Sequence, residues 1–287
     1  MQFHQPTSFE QAATIAANAQ GLTRFLAGGT DVLVQLRADI ATPDDLIDIK
    51  HIPGVKDITR NDDGSWRIGV AVAGAELNEH AGLKADWPGV VEAVDLIGST
   101  QVQGRATMTG NLCNASPAAD SVPAMVAAGV TVEITGPNGT RTAAAEDIPT
   151  GPGKTSMAKG EVVSAVILPA RGTGGGDAYE RFIPRTEMDI AVVGVGINLV
   201  VDGDTITEAR VSLGAVAPTV LLVEDAANAL IGSTLDEAAL DALAAAATAA
   251  CNPIDDKRGT IKFRKHIAGV LAKRVARTAY DRARANT

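Results

Sequence analysis

Apolar positions recur with helical spacing in some segments of the chain and alternate with polar positions in others, which predicts a mixture of helices and strands. Near the start, helices are predicted at 8–19 and 32–37, and strands at 23–26 and 44–49. A glycine-rich turn at 27–31 joins the first strand to the second helix. This alternation predicts a small α/β unit at the start of the chain.

From residue 66 the pattern becomes richer in strands. Strands are predicted at 66–73, 130–135 and 162–168, and helices at 75–80, 87–97 and 121–128. Between two of these helices, 98–120 is rich in Gly, Thr and Asn, and it is expected to be a long loop. Loops of this length in a compact domain are usually functional.

A glycine-rich run at 171–176 is the best linker candidate in the chain. After it, strands are predicted at 192–201 and 206–216, around a turn at 202–204, and helices at 235–250 and 261–284. The expected fold class is therefore α+β, with a domain boundary near 172–177. The first domain, 1–175, would have subdomains of about 1–55 and 56–175, and 177–287 would form an α/β domain with an antiparallel sheet.

The composition is that of an ordinary globular protein, with 46% hydrophobic and 21% charged residues. The formal net charge of −9 argues against a general nucleic-acid-binding protein, which needs a basic surface. The N-terminal residues lack the basic start and apolar core of a signal peptide, and no apolar run suits a membrane span. A cytoplasmic protein without membrane insertion is therefore expected.

Residue types that carry metal or nucleophilic chemistry are sparse. The two cysteines, Cys113 and Cys251, are far apart in sequence and cannot supply the four thiolates of an iron–sulfur cluster. The four histidines are scattered, so no metal site is expected, and no spacing nominates a catalytic residue. Such a chain is typical of a cofactor holder, in which the bound cofactor supplies the reactivity.

Two segments could hold that cofactor. The turn at 27–31 offers glycines that allow close backbone approach, followed by a helix start with free N–H groups, which suits a pyrophosphate. The segment 98–120 offers hydroxyl and amide groups that suit a diphosphate and a ribityl chain. Taken separately, the first could be an ordinary tight turn and the second an ordinary polar loop.

Basic residues are concentrated at the end of the chain. Residues 257–287 contain ten Lys and Arg residues against one acid, Asp281. Two interpretations are open: a solvated helix face whose late basic residues suit the helix dipole, or a docking face for an acidic partner subunit.

Several motifs follow one another in a fixed order along the chain. They are the opening segment 3–12, the loop LAGGTD at 26–31, the segment RATMTGN at 105–111, its continuation ASPAAD at 115–120, the stretch YERFIPRTEMDIA at 179–191, and the late segments 214–219 and 263–264. In this order, and over nearly the whole chain, they resemble the FAD-binding medium subunit of the xanthine dehydrogenase and carbon monoxide dehydrogenase family.

The resemblance implies a two-subdomain FAD-binding domain of the FAD-linked oxidase type and a C-terminal domain like that of the carbon monoxide dehydrogenase flavoprotein. It also implies a three-part molybdenum hydroxylase, assembled as a dimer of heterotrimers. A large partner subunit would carry the molybdopterin cofactor, and a small one two [2Fe–2S] clusters. This chain would carry FAD and pass electrons from the clusters to an external acceptor, with no catalytic residue of its own.

The resemblance also assigns positions. Residues 27–31 and 107–111 would hold the diphosphate and the neighbouring ribityl or ribose groups, Val163 would line the pocket, and Arg181 would approach the isoalloxazine. The full implied set is Leu26, Ala27, Gly28, Gly29, Thr30, Asp31, Val32, Ile97, Gly98, Thr107, Thr109, Gly110, Asn111, Asn114, Asp120, Val163 and Arg181.

This sequence departs from the family pattern at two positions. Thr109 stands where the family usually has a glycine, which would cost about 1 kcal/mol if the position needs a positive φ. Arg181 stands where many members have lysine, and arginine keeps its charge and donates through a planar fork. Two other functions stay open: a self-sufficient FAD-dependent oxidoreductase of related fold, and a non-catalytic module whose loops no longer hold flavin.

Overall fold

The computed structural model describes residues 1–185 and 188–287, so two residues of the stretch 179–191 lie outside the described residues. The strands are β1 Gln2–His4, β2 Thr23–Leu26, β3 Asp45–Asp48, β4 Ile58–Arg60, β5 Trp66–Gly69, β6 Thr131–Gly136, β7 Gly139–Ala144, β8 Pro149–Gly151, β9 Lys154–Thr155, β10 Val162–Leu168, β11 Gly175–Phe182, β12 Val193–Asp202, β13 Thr205–Gly214 and β14 Leu221–Leu222. The helices are α1 Phe9–Asn18, α2 Val32–Arg37, α3 Gly74–Glu79, α4 Ala81–Asp86, α5 Pro88–Asp95, α6 Thr100–Gln103, α7 Met108–Cys113, α8 Ser121–Ala127, α9 Glu224–Asn228, α10 Glu237–Ala250 and α11 Ile261–Ala285.

The strands form three main sheets. A parallel sheet in the order β1-β3-β2 builds the start of the chain, and an antiparallel sheet in the order β4-β5-β10-β6-β7 follows it. The C-terminal part contains an antiparallel sheet in the order β11-β12-β13-β14, which α11 covers, and α10 packs on α11. This mixture of helices with separate sheets confirms the predicted α+β class and the antiparallel C-terminal sheet.

Helix α1 shows how local sequence sets an element. Ser8 is the N-cap, and its hydroxyl accepts a hydrogen bond from the Gln11 backbone N–H at 3.2 Å. The Gln11 side chain in turn accepts one from the Thr7 N–H at 2.8 Å. These bonds satisfy N–H groups that have no partner inside the helix. The alanines at 12, 13 and 16 then face the core, as the predicted helix at 8–19 requires.

Helices of the N-terminal part pack closely on the C-terminal sheet. A Cβ on Gly196 in β12 would lie 2.6 Å from the Pro123 carbonyl oxygen of α8. A Cβ on Gly89 in α5 would lie 2.7 Å from the Ala178 nitrogen of β11. Side chains at either position would force the helix away from the sheet, so glycine is what permits the two parts to touch through their backbones.

The expected loop at 98–120 is only partly irregular, because it contains α6 and α7. The hydroxyl of Thr107 caps α7 by accepting a hydrogen bond from the Gly110 N–H at 2.9 Å, which stabilises a short helix in a stretch of weak helix formers. Strand β5 also ends at Gly69, earlier than the predicted 73, and α4 was not predicted at all.

The glycine-rich run at 171–176 is not a free linker. Its first residue, Arg171, is buried and bonds to Asp177 at 2.6 Å and to the Asp86 carbonyl at 2.6 Å. Its guanidinium carbon also lies 3.6 Å from the centre of the Trp87 ring. Because β11 already begins at Gly175, the run is tied at both ends. The domain boundary near 172–177 stays a prediction.

The basic residues at the end of the chain are largely neutralised within the protein. Among the described residues, seven of the ten form ion pairs with acidic residues of this chain: Arg258 with Asp189, Arg264 with Asp256, Lys273 with Asp241, Arg274 with Glu180, Arg277 with Glu237, Arg282 with Glu92, and Arg284 with Asp204. Because most of these positive charges are already paired within the chain, the interpretation of a solvated helix face is favoured over that of a docking face for an acidic partner subunit.

None of the helices in the described parts of the chain is long and apolar enough to cross a membrane.

Candidate functional site

The two glycine-rich segments meet at one groove of about 440 Å³. The groove lies beside β2 and is closed on the other side by α7 and the start of β10. Thirteen of the implied residues line it: Ala27, Gly28, Gly29, Thr30, Asp31, Val32, Ile97, Thr107, Thr109, Gly110, Asn111, Asn114 and Val163. Segments far apart in sequence thus converge on a single site.

The other four implied residues do not line this groove. Leu26 is buried at the end of β2, directly before the first loop. Gly98 and Arg181 line a second cavity of about 410 Å³, which Leu96, next in sequence to Ile97 of the groove, also lines. Asp120 lines neither cavity and forms an ion pair with Arg181.

The first loop needs its two glycines for different reasons. A Cβ on Gly28 would lie 2.0 Å from the carbonyl oxygen of Arg105, so this glycine lets the first loop touch the second. Gly29 has φ of +79°, a left-handed conformation that side chains disfavour. The glycines therefore shape the groove by packing and backbone conformation, in addition to any approach by a ligand.

The second segment is held by its own polar groups. Asn111 lines the groove, and its side-chain carbonyl accepts hydrogen bonds from the Ser121 backbone N–H at 3.1 Å and hydroxyl at 2.8 Å. The Asn111 amide N–H₂ is the group left to donate to a ligand. Across the groove, the Gln35 amide donates to the Asn114 side-chain oxygen at 3.3 Å.

Thr109 does not carry the strain that its departure from the family pattern suggested. It lies in the first turn of α7 and is absent from the residues with positive φ. Its side chain is buried against the groove wall, where it adds a methyl and a hydroxyl. The condition for a φ-related cost is therefore not met, so backbone strain at Thr109 gives no support to a module unable to hold flavin.

Some lining residues were missed by sequence reasoning. Thr23 lines the groove, and its hydroxyl is buried without a hydrogen-bond partner, so it is available to a ligand. Gln35 and Met157 also contribute to the walls. Val163 lies at a register shift between β10 and β6, which re-aims the strand where it meets the groove. The only sequence signal for Thr23 was its place on the strand before the loop.

The pair of Asp120 and Arg181 is a buried charged feature beside the second cavity, which Arg181 lines. Arg181 Nη1 donates to Asp120 Oδ2 at 2.7 Å, and both side chains are almost fully buried. Burial raises the pKa of Asp120 to about 6, although the charge of Arg181 opposes this increase. The carboxyl therefore titrates near neutral pH, and the net charge of the pair changes with it.

Cys113 is the only cysteine or histidine at the groove among the described residues. Burial raises the pKa of its thiol to about 12, so the thiol stays protonated and is a poor nucleophile at neutral pH. No group of three or more His, Cys, Asp or Glu side chains that could hold a metal ion occurs among the residues that the structure describes.

The arrangement as a whole suits a dinucleotide cofactor: two glycine-bearing loops, unpartnered hydroxyl and amide groups, and apolar walls within one groove. Fold and groove together define a dinucleotide-binding protein with an antiparallel C-terminal sheet. Residues 1–171 match the family described as "FAD binding domain in molybdopterin dehydrogenase", and residues 178–279 match the "CO dehydrogenase flavoprotein C-terminal domain". The chain belongs to this family of FAD-binding medium subunits of molybdenum hydroxylases.

Relatives match over almost their full length. The chain is 31% identical to the carbon monoxide dehydrogenase medium chain of Hydrogenophaga pseudoflava, covering 98% of this chain and 97% of the relative. It is 30% identical to the xanthine dehydrogenase FAD-binding subunit of Escherichia coli O157:H7, covering 93% and 94%. The solved carbon monoxide dehydrogenase of H. pseudoflava, lacking the Mo-pyranopterin moiety, superposes with a TM-score of 0.94 at 32% identity, over 98% of both chains.

Proposed function

We propose that the chain is the electron-transfer subunit of a molybdenum hydroxylase, receiving electrons from the [2Fe–2S] clusters of a partner subunit and passing them to an external acceptor. The proposal extends the family membership, which already defines an FAD-binding medium subunit of an oxidoreductase. A small partner would carry two clusters and a large one the molybdopterin cofactor, in a cytoplasmic dimer of heterotrimers.

The observation that carries the proposal is the convergence of 27–32, 107–114 and Val163 on the groove of about 440 Å³. A holder that performs no substrate chemistry needs to bind and orient its cofactor, and these residues are of the types that do so. They do not form an acid–base or nucleophilic set, since the one thiol present, Cys113, is held protonated. The two-domain division, 1–175 and 177–287, belongs to the same proposal.

Bound FAD would supply the capacity to take up and release one or two electrons. The loop at 27–31 and the start of α7 would bind its diphosphate through backbone N–H groups, the Thr107 hydroxyl and the Asn111 amide. Asp31 is partly desolvated, which raises its pKa and reduces its repulsion of a phosphate. Arg181 would place a positive charge at the flavin end of the site.

Cofactor analysis of the purified chain tests the first half of the proposal. We expect a yellow protein with one FAD per chain, or a colourless one that takes up FAD and quenches its fluorescence. Gly28→Ala should lose this binding, whereas Gly172→Ala, where an added Cβ meets nothing within 4 Å, should keep it. A wild-type chain that binds no FAD contradicts the proposal.

Reconstitution tests the electron path. Mixed with its large and small partners, the FAD-loaded chain should restore substrate-dependent dye reduction, whereas alone it should oxidise little substrate. Substantial turnover by the isolated chain would instead favour the self-sufficient oxidoreductase. Neighbouring reading frames that encode an eight-cysteine protein and a molybdopterin-binding protein would identify the partners for the mixture.

A further inference from the structure

Three buried polar atoms near the Asp120–Arg181 pair have no hydrogen-bond partner. They are Asp120 Oδ1, Arg181 Nε and the hydroxyl oxygen of Tyr179. Asp120 precedes α8, while the other two residues are on β11, so the cluster joins two separate parts of the chain. Leaving such atoms unpaired costs roughly 1–3 kcal/mol each, and a cluster of three therefore needs a reason.

Asp120 and Arg181 have expected roles near the flavin, whereas none of the roles described above explains the hydroxyl of Tyr179. Its side chain is 4% exposed, and phenylalanine would fill almost the same space without burying a hydroxyl. The fold nevertheless makes room for that hydroxyl: a Cβ on Gly194 of β12 would lie 2.7 Å from the Tyr179 oxygen. A glycine inside a strand weakens the strand, so its presence opposite the hydroxyl indicates that the hydroxyl has a use.

The register of the C-terminal sheet places these groups on one face. Arg181 of β11 pairs with Gly194 of β12, which in turn pairs with Gly214 of β13. Two residues along β11, Tyr179 pairs with Gly196 of β12. Paired residues of neighbouring strands point to the same side of a sheet. That side receives α8, since Cβ atoms on Gly196 and Gly214 would both strike Pro123. The glycines thus open the space in which Asp120 meets β11.

The Tyr179 hydroxyl is the natural donor for the free Asp120 oxygen. The two groups already influence each other: hydrogen bonding from Tyr179 lowers the pKa of Asp120, and the carboxylate raises the pKa of Tyr179. Neither atom has another hydrogen-bond partner in the structure, so no other group competes for either of them. Within the described residues, the charged and titratable groups acting on Asp120 are Arg181 and Tyr179, both from β11.

We propose that Tyr179 is a positioning residue that holds the Asp120 carboxylate and, through it, sets the charge that the Asp120–Arg181 pair presents to the flavin. The inference rests on the proposed function. A hydrogen bond from Tyr179 stabilises the charged carboxylate, which keeps the pair neutral overall. Without that bond the pKa of Asp120 rises, so Asp120 is already protonated at a higher pH. The positive charge of Arg181 is then no longer balanced, and it stabilises electrons added to the flavin.

A labelling experiment tests the contact without relying on enzyme activity. The chain has only two tyrosines, so 3-fluorotyrosine incorporation yields two ¹⁹F resonances, and Tyr280→Phe assigns the remaining one to Tyr179. We expect the Tyr179 resonance to shift with a midpoint near pH 6, where Asp120 titrates, and to stay constant in Asp120→Asn. A resonance that is flat between pH 5 and 8, or that shifts equally in Asp120→Asn, overturns the proposal.

A second experiment measures the consequence for the flavin. The midpoint potential of FAD bound to the full chain is followed against pH in the wild type, Tyr179→Phe and Tyr280→Phe. A plot of midpoint potential against pH should change slope where Asp120 titrates. In Tyr179→Phe this pH should rise by roughly one unit, because the charged Asp120 carboxylate loses a hydrogen bond. Tyr280 donates to the Asp204 carbonyl at 2.7 Å, away from Asp120, so Tyr280→Phe should behave as the wild type.

The outcomes separate this inference from the proposed function. If the wild-type chain binds no FAD, the proposed function fails, while the ¹⁹F titration still decides whether Tyr179 senses Asp120. If FAD binds and the slope change stays at the wild-type pH in Tyr179→Phe, only the positioning role is rejected. If Tyr179→Phe does not fold, the ¹⁹F titration of the wild type and Asp120→Asn gives the decision.

Discussion

At the scale of single residues, glycines control how closely the two loops of the groove approach each other. In Gly28→Ala, the new methyl group would meet the Arg105 carbonyl at 2.0 Å, and the loops would have to separate. We expect a loss of roughly 1–3 kcal/mol in the free energy of unfolding and at least a tenfold weaker affinity for FAD. Chemical denaturation and fluorescence titration measure the two effects. Gly172→Ala is the matched control, and equal behaviour of the two variants would contradict the packing role.

Thr109 offers a second test at this scale. If the residue were strained, Thr109→Gly would stabilise the protein by about 1 kcal/mol. Because Thr109 is helical and buried, the structure predicts the opposite: a small loss, on the order of 0.5 kcal/mol, from greater freedom of the unfolded chain and a lost methyl group. Urea denaturation of the variant and the wild type measures the difference. A clear gain in stability would restore the strain interpretation.

At the scale of elements, the sequence predicted those helices and strands that carry a regular apolar pattern. Helices α1, α8, α10 and α11 and strands β2 and β10 lie within about two residues of their predicted bounds. Helices α6 and α7 were missed because they are short and rich in Thr, Gly and Asn, residues that favour turns and caps. What fixes α7 is a single side-chain cap, and such a cap is visible only once the backbone is known.

Helix α11 contains arginines of very unequal importance. Arg264 is 4% exposed and donates to the Val192 and Ala215 carbonyls at 2.7 and 3.2 Å, which fastens the helix to the end of the sheet. Arg264→Met should cost roughly 3 kcal/mol of stability, because two carbonyls lose a charged donor. Arg277 is paired with Glu237 at the surface, so Arg277→Met should cost less than about 0.5 kcal/mol. Thermal unfolding of both variants measures the two losses of stability. Similar losses would contradict the unequal importance of these two arginines.

At the scale of the whole molecule, Arg171 joins the two domains. It contacts Asp86 and Trp87 on one side and Asp177 and Asn198 on the other. Arg171→Met leaves Asp177 buried without its charged partner, at a cost of roughly 3 kcal/mol. We expect the wild type to unfold in one calorimetric transition and Arg171→Met to unfold in two. A variant that still unfolds in one transition at the wild-type temperature would show that the domains are held together elsewhere.

The pH dependence of stability provides a further prediction. Burial raises the pKa of both Asp120 and Asp177 from 3.8 to about 6, so the folded chain binds these protons more tightly than the unfolded chain. Their contribution to stability is complete below pH 3.8 and is lost as the pH rises through about 6. Between these values the melting temperature of the wild type should fall more steeply than that of Asp120→Asn. Parallel curves for the two proteins would mean that Asp120 does not titrate in this range.

The candidate site was predictable in its loops but not in its contacts. Glycine-rich motifs mark 27–31 and 107–111 in the sequence itself. The contact of Gly28 with Arg105 joins residues 77 apart, and the pair of Asp120 with Arg181 joins residues 61 apart. Such partners depend on how the domains pack, and one sequence contains no local signal for that. Tyr179 was overlooked as a functional residue for the same reason.

The division of the Asp120–Arg181 pair between domains has a consequence for recombination among relatives. Asp120 belongs to the matched segment 1–171 and Arg181 to the matched segment 178–279. A chimera that joins the first segment of one subunit to the second of another would inherit each half of the pair from a different parent. Such chimeras would keep every cofactor-binding loop of one parent and still differ from it in flavin potential. The choice of where the two segments are joined would therefore affect the rate at which the flavin delivers electrons.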